Sequence, residues 1–227
     1  TMRSPCCYLN FSNTDFTNFS LFNRMKIALS KGTIDLQAGI VSKAFGANSF
    51  YTPKYPDQYE ATKTFFMSLK ADHGTGLSPV FYWRRHYDRF ELFRNEAPAW
   101  YLSHNYHVTD AIGSDLNYTF RTRGRFKTSV GYSIRYETIR SNKLGDSLSE
   151  PVRIAGTGDR FYYLGAHRVN TALMAEESWS AGRWDLTAGL LVNYFSGGRG
   201  LVSLYPGADA GFKITEHLRW YASFNRT

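Results

Sequence analysis

RFKTSVGYSIRYE, residues 125–137, decides the fold. Phe126, Thr128, Val130, Tyr132, Ile134 and Tyr136 alternate with Arg125, Lys127, Ser129, Gly131, Ser133, Arg135 and Glu137. A period of two puts the first set on one face of a β-strand and the second on the other. The second face carries Arg, Lys and Glu, which a small packed core does not accept unpaired. One face therefore meets apolar surroundings, and the other meets water or polar filling.

The same pattern recurs along the chain. Ile34, Leu36, Ala38 and Ile40 alternate with Asp35, Gln37 and Gly39. Leu116, Tyr118 and Phe120 alternate with Asn117, Thr119 and Arg121. Leu186, Ala188, Leu190, Val192 and Tyr194 alternate with polar residues, Leu191 excepted. Tight turns separate such runs at Ser30–Gly32, His73–Gly76, Thr122–Gly124, Ala181–Gly182 and Thr215–His217. Most are built on glycine, which supplies the positive φ of short hairpins. Between them lie longer connections, Ser42–Gln58, Arg94–Asn105, Ser141–Arg160 and Ser196–Leu201, holding Pro, Asn, Gly and Asp. Short and long connections alternate throughout. A sandwich has no reason to sort its loops so, whereas an up-and-down barrel with one end in the periplasm and one outside does. The expected fold is all-β, an antiparallel up-and-down transmembrane β-barrel, partial, with about ten strands.

Composition agrees. The 227 residues include 16 Tyr, 17 Phe and 5 Trp, a 17% aromatic share that suits the interfacial girdles of a barrel. Mean hydropathy is −0.39, and no apolar run approaches a spanning helix of about 18 residues. A membrane barrel is compatible with both, because polar inward residues dilute the lipid-facing ones. The net charge of +8 fits solvated loops and an inner wall, or attraction to lipid phosphates or an anionic ligand. The basic residues are scattered, which argues against nucleic acid as a partner. Cys6 and Cys7 are adjacent, a poor disulfide pair with no other partner in the chain. No signal-peptide pattern opens the sequence.

Several stretches carry a family resemblance. Ala44–Tyr51 leads into Lys54–Glu60; Tyr82–Arg85 and Asp88–Leu92 follow; Tyr205–Ala208 and Tyr221–Thr227 stand near the end. In order and spacing they resemble the barrel of TonB-dependent outer-membrane receptors, nearest the cobalamin-receptor-like members of the Bacteroidetes. The resemblance runs over residues 10–227; residues 1–9 do not fit it. It implies a barrel of about 22 strands around a plug. The plug, the TonB-contacting segment and the terminal aromatic residue have no match here, so the chain reads as an interior piece of the barrel domain. The resemblance further implies active import of a scarce chelate, such as cobalamin, a siderophore or haem, across the outer membrane of a Gram-negative bacterium. Its partners would be the TonB complex through the plug, membrane lipid and a surface lipoprotein. No covalent chemistry and no cofactor are implied. The alternatives are a complete ten-stranded outer-membrane enzyme of protease-like design, or a passive porin.

Candidate ligand contacts are the loop aromatics Tyr51, Tyr55, Trp100 and Tyr101, with Phe50 beside them. Rings with a polar handle suit a ligand that is part apolar and part wet; they equally suit packing of one loop against another. Lys127, Arg135, Glu137 and Asp185 are expected on the inner face, with Arg84 and Arg85 beside them, meeting the plug or bridging strands. His86 and Asp88 share a side, as an acid/base pair, half a metal site, or a solvated pair. His104, His107 and Asp110 do not converge in an extended segment, and no metal-ligand spacing or G-x-S-x-G nucleophile motif occurs.

Overall fold

The computed structural model describes residues 12–121, 124–197 and 201–226. The cysteines and the Thr122–Arg123 part of one turn lie outside them. Every described element is a strand: β1 (Phe16–Leu29), β2 (Gly32–Gly46), β3 (Tyr59–Asp72), β4 (Leu77–Glu91), β5 (Asn105–Arg121), β6 (Phe126–Ser141), β7 (Asp146–Arg153), β8 (Phe161–Ala181), β9 (Trp184–Phe195), β10 (Leu201–Lys213) and β11 (Arg219–Asn225). They form one open antiparallel sheet in chain order, with only β7 off the path.

The short turns gather at one end. The Thr119 N–H donates to the Gly76 carbonyl, Ser180 N–H to Arg125 and Lys213 N–H to Arg183, so each turn touches its neighbour across the sheet. The sheet is also staggered. One unbroken cross-strand row runs Met25, Leu36, Leu69, Phe81, Ser114, Ile134, Thr171, Tyr194, Val202. Met25 lies four residues from the turn end of its strand; Val202 lies eleven from that end of its own. A steady slip of this kind is the shear that tilted barrel strands carry.

Because antiparallel partners share a face, the register sorts the whole sheet. One face is apolar from β1 to β11 and stays open to its surroundings: Val130 is 40% exposed, Ile134 38% and Leu173 56%. Among the described residues Ala47, Tyr106, Val108, Ile154 and Tyr162 form the buried apolar set, and all but Ala47 make one cluster at the long-loop end.

Three expectations need correction. The Ser141–Arg160 connection is not a plain loop, because it contains β7. Gly165 pairs with Arg140 on one side and Asp146 on the other, so β7 lies against the edge of β8 opposite β6. This lengthens β8 well beyond the segment whose period is visible, since its outer half has a partner of its own. Gly32 does not supply a positive φ, although Gly74, Gly124 and Gly182 do. Its role is close approach: a Cβ there would sit 1.9 Å from the Asp72 carbonyl oxygen. Third, Arg85 is not on the polar face. It pairs with Asp110 beside Trp83 on the apolar side, held by two hydrogen bonds of 2.7 and 2.9 Å.

The two kinds of glycine separate by mutation. Gly32→Ala must push backbone against backbone and is expected to cost about 1–3 kcal/mol. Gly182→Asn, at φ 56° in open space, should cost under about 0.5 kcal/mol. Thermal unfolding in detergent followed by circular dichroism measures both; equal losses would refute the close-approach role.

Candidate functional site

The connections Ser42–Gln58, Arg94–Asn105 and Ser141–Arg160 meet at the end opposite the tight turns, and polar side chains tie them together. Arg94 grips Asp15 with bonds of 2.6 and 3.0 Å and holds that carboxyl below the usual carboxylate range. Asp57 accepts from the Asn95 backbone and side-chain amides, both at 2.9 Å. The Asn142 amide donates to His104 O at 2.7 Å while its carbonyl accepts from Tyr106 N–H at 2.8 Å. Connections distant in sequence therefore form one braced mouth.

The four aromatic candidates divide. Tyr55, Trp100 and Tyr101 all stack edge-on against Phe93, at 5.4, 5.5 and 5.3 Å between ring centres. Tyr51 belongs to a second group with Phe50 and Phe90. Its hydroxyl donates to Glu60; burial of that end, then Glu60, pushes it up to about 12. Tyr101 is structural in its bonding: its oxygen accepts the Leu92 N–H at 2.9 Å and lies 3.2 Å from His104 Nδ1. Burial holds the His104 imidazole below its ordinary range, against the opposing pull of Glu91 3.9 Å away. Trp100, by contrast, is 61% exposed. Phe93, the hub, went unnoticed in the sequence because it closes an apparently ordinary strand end; its spacing to Trp100 and Tyr55 is informative only once both loops fold back.

On the polar face, Lys127, Arg135, Glu137 and Asp185 fall together by register. Glu137 lies between Arg135, at 3.3 Å, and Arg168, which it contacts directly; Asp185 pairs with Arg219. His86 and Asp88 do share this face, and His107 stands across from Asp88. His86 Nδ1 is 2.8 Å from Thr64 Oγ1 and His107 Nδ1 is 2.8 Å from Ser141 Oγ, so both imidazoles are engaged. Asp110 faces the opposite side. Among the described residues no three His, Cys, Asp or Glu are placed to hold a metal ion.

Fold and mouth together define a staggered, barrel-type antiparallel wall with an apolar face and loops gathered at one end. No protein-family model and no curated protein matches the chain. Among solved structures it is similar to the FrpB iron transporter from Neisseria meningitidis (F3-3 variant), with a TM-score of 0.68 and 15% identity over 92% of this chain. The match covers 36% of that transporter, so the chain spans about a third of its length. At that identity the likeness is one of fold.

Tyr101→Phe should leave the Leu92 N–H without its acceptor, a local cost of about 1–3 kcal/mol. Hydrogen exchange at Leu92 and Phe93 should accelerate accordingly, while Trp100→Ala should leave it within about twofold. Equal exchange in the two variants would show that the hydroxyl does not brace the loop.

Proposed function

We propose that this chain is barrel wall of a TonB-dependent importer in the outer membrane of a Gram-negative bacterium, serving a scarce metal chelate such as cobalamin, a siderophore or haem. The observation that carries this reading is the continuous exposed apolar face running across a sheet whose strands are paired in unbroken register from β1 to β11. Water does not favour such a face, and hydrocarbon does. A shallow groove of about 400 Å³ on it, lined by Leu116, Val130, Leu173 and Leu190, fits acyl chains. Fold likeness to an iron transporter supports the transport class.

On this reading residues 10–227 are barrel wall, the tight turns face the periplasm and the braced loops face outward. Lys127, Arg135, Glu137 and Asp185 face the lumen. A plug and a TonB contact are required elsewhere in the polypeptide. The protein moves its ligand without covalent chemistry. Tyr51, Tyr55, Trp100 and Tyr101 contribute to capture, with Trp100 the ring most available to a ligand and Tyr101 holding its loop in place.

Two measurements test this. Single cysteines at Val130 and Ile134 should react with a lipid-phase label, and cysteines at Lys127 and Glu137 with a water-phase one; the reverse would mean a register slipped by one residue. Cells carrying the complete reading frame should accumulate ligand only while the inner-membrane proton gradient stands. Uptake that persists after its collapse would point to a passive porin. In the same protein Trp100→Ala should weaken ligand binding by about 2 kcal/mol, roughly thirtyfold; a change within about twofold would make that ring scaffold.

A further inference from the structure

We propose that the polar face carries an oxyanion-binding hollow formed by Arg84, Arg135 and Arg168, and that the ligand taken by this protein is anionic. The inference rests on the import reading and narrows its substrate class.

The hollow follows from register. Arg84, Ala111, Glu137 and Arg168 form one cross-strand row; Tyr82, Gly113, Arg135 and Asn170 form the next row on that face. Ala111 and Gly113 leave β5 low between two strands of long side chains. A Cβ at Gly113 would lie 2.4 Å from the Tyr82 ring, so that ring fills the floor and a larger residue would close it. The resulting space is about 860 Å³, within the range that small-molecule sites occupy.

Its charges are unbalanced. Glu137 is shared by Arg135 and Arg168. Arg135 Nε is buried and lies 3.3 Å from Glu137 Oε1, on the carboxylate that Arg168 also contacts. Among the described residues Arg84 makes no hydrogen bond or salt bridge. Asp110, the nearest carboxylate in sequence on β5, faces the other side with Arg85. Asp146 is the other carboxylate at the hollow, exposed at its margin. Three guanidiniums thus stand against two carboxylates, with the Arg84 guanidinium free. Planar N–H forks in this state match the oxygens of a carboxylate or phosphate. A neutral trihydroxamate chelate offers them no anionic oxygen; a chelate with exposed negative oxygens does.

The test uses protein from the complete reading frame, purified in detergent, with iron(III) citrate as the anionic probe and two neutral iron(III) trihydroxamates as uncharged ones. Wild type should bind iron(III) citrate, and Arg84→Gln and Arg168→Gln should each weaken it by about tenfold or more. Arg84→Lys should recover part of the loss, and added salt should weaken wild-type binding. Neutral probes should bind weakly and without response to these variants. The proposal is overturned if wild type does not bind iron(III) citrate, if both Gln variants stay within about twofold of it, or if neutral probes bind as tightly and suffer equally. It is also overturned if Arg84→Gln lowers the unfolding temperature while wild type ignores citrate, because the hollow then holds an acidic segment of the polypeptide. Energised uptake is scored separately. Anion binding without it would remove the import reading and leave the hollow; energised uptake of neutral ligands alone would do the reverse.

Discussion

Everything in this molecule depends on the uninterrupted backbone ladder. In the membrane setting proposed above, each unmatched N–H or C=O costs several kcal/mol, so the ladder between β1 and β11 admits no gaps. Along the β1-to-β11 path the pairing runs without a register break; the shift among the described pairs, between Ser147 and Val152, lies in the β7 excursion at the loop end. Continuity has a further effect. Since side chains alternate with period two, a fixed register assigns every residue of ten strands to one face at once. Neither the apolar face nor the arginine row needs a separate cause.

What was legible in the sequence is what this ladder makes local. The alternation in residues 125–137 places Val130 and Ile134 opposite Arg135 and Glu137 whichever strands flank them. Turns at Gly74, Gly124 and Gly182 show through the residue that a positive φ requires. The illegible parts depend on distant residues. β7 has a partner only because β8 runs on past the end of β9, and the Ser141–Arg160 composition reads as loop. Arg85 looks like its neighbour Arg84, yet one step of the period sends it to the apolar face, where Asp110 neutralises it. Phe93 is a hub only after residues on two connections converge on it.

The mouth shows how a loop region becomes a surface fit for recognition. Loops order at an entropic cost per residue, and here that cost is offset by long-range polar ties such as Arg94–Asp15 and Asp57–Asn95. These connect residues about eighty and forty positions apart. A braced loop can present Trp100 to solvent without collapsing it onto the sheet. The same bracing explains why Tyr101, chemically the equal of Tyr51 and Tyr55, is committed to holding Leu92.

Both faces finally carry charge, and each pairs only part of it. On the apolar face Arg85 is matched by Asp110 and Arg89 by Glu91. Glu177, near the turn end, accepts a hydrogen bond from Thr128. Lys63 and Arg140 lack a carboxylate partner among the described residues; they stand in one cross-strand row toward the mouth, where on the importer reading a long cationic side chain reaches past lipid to water. The polar face pairs part of its charge, as in Arg24–Asp35, Arg168–Glu137 and Asp185–Arg219, and leaves part unpaired. Arg84 stands free, and Lys127 and Asp209 lack salt-bridge partners among the described residues. Unpaired charge is tolerable only where water or a ligand completes it. On the importer reading proposed above, the first face meets lipid and the second an aqueous passage.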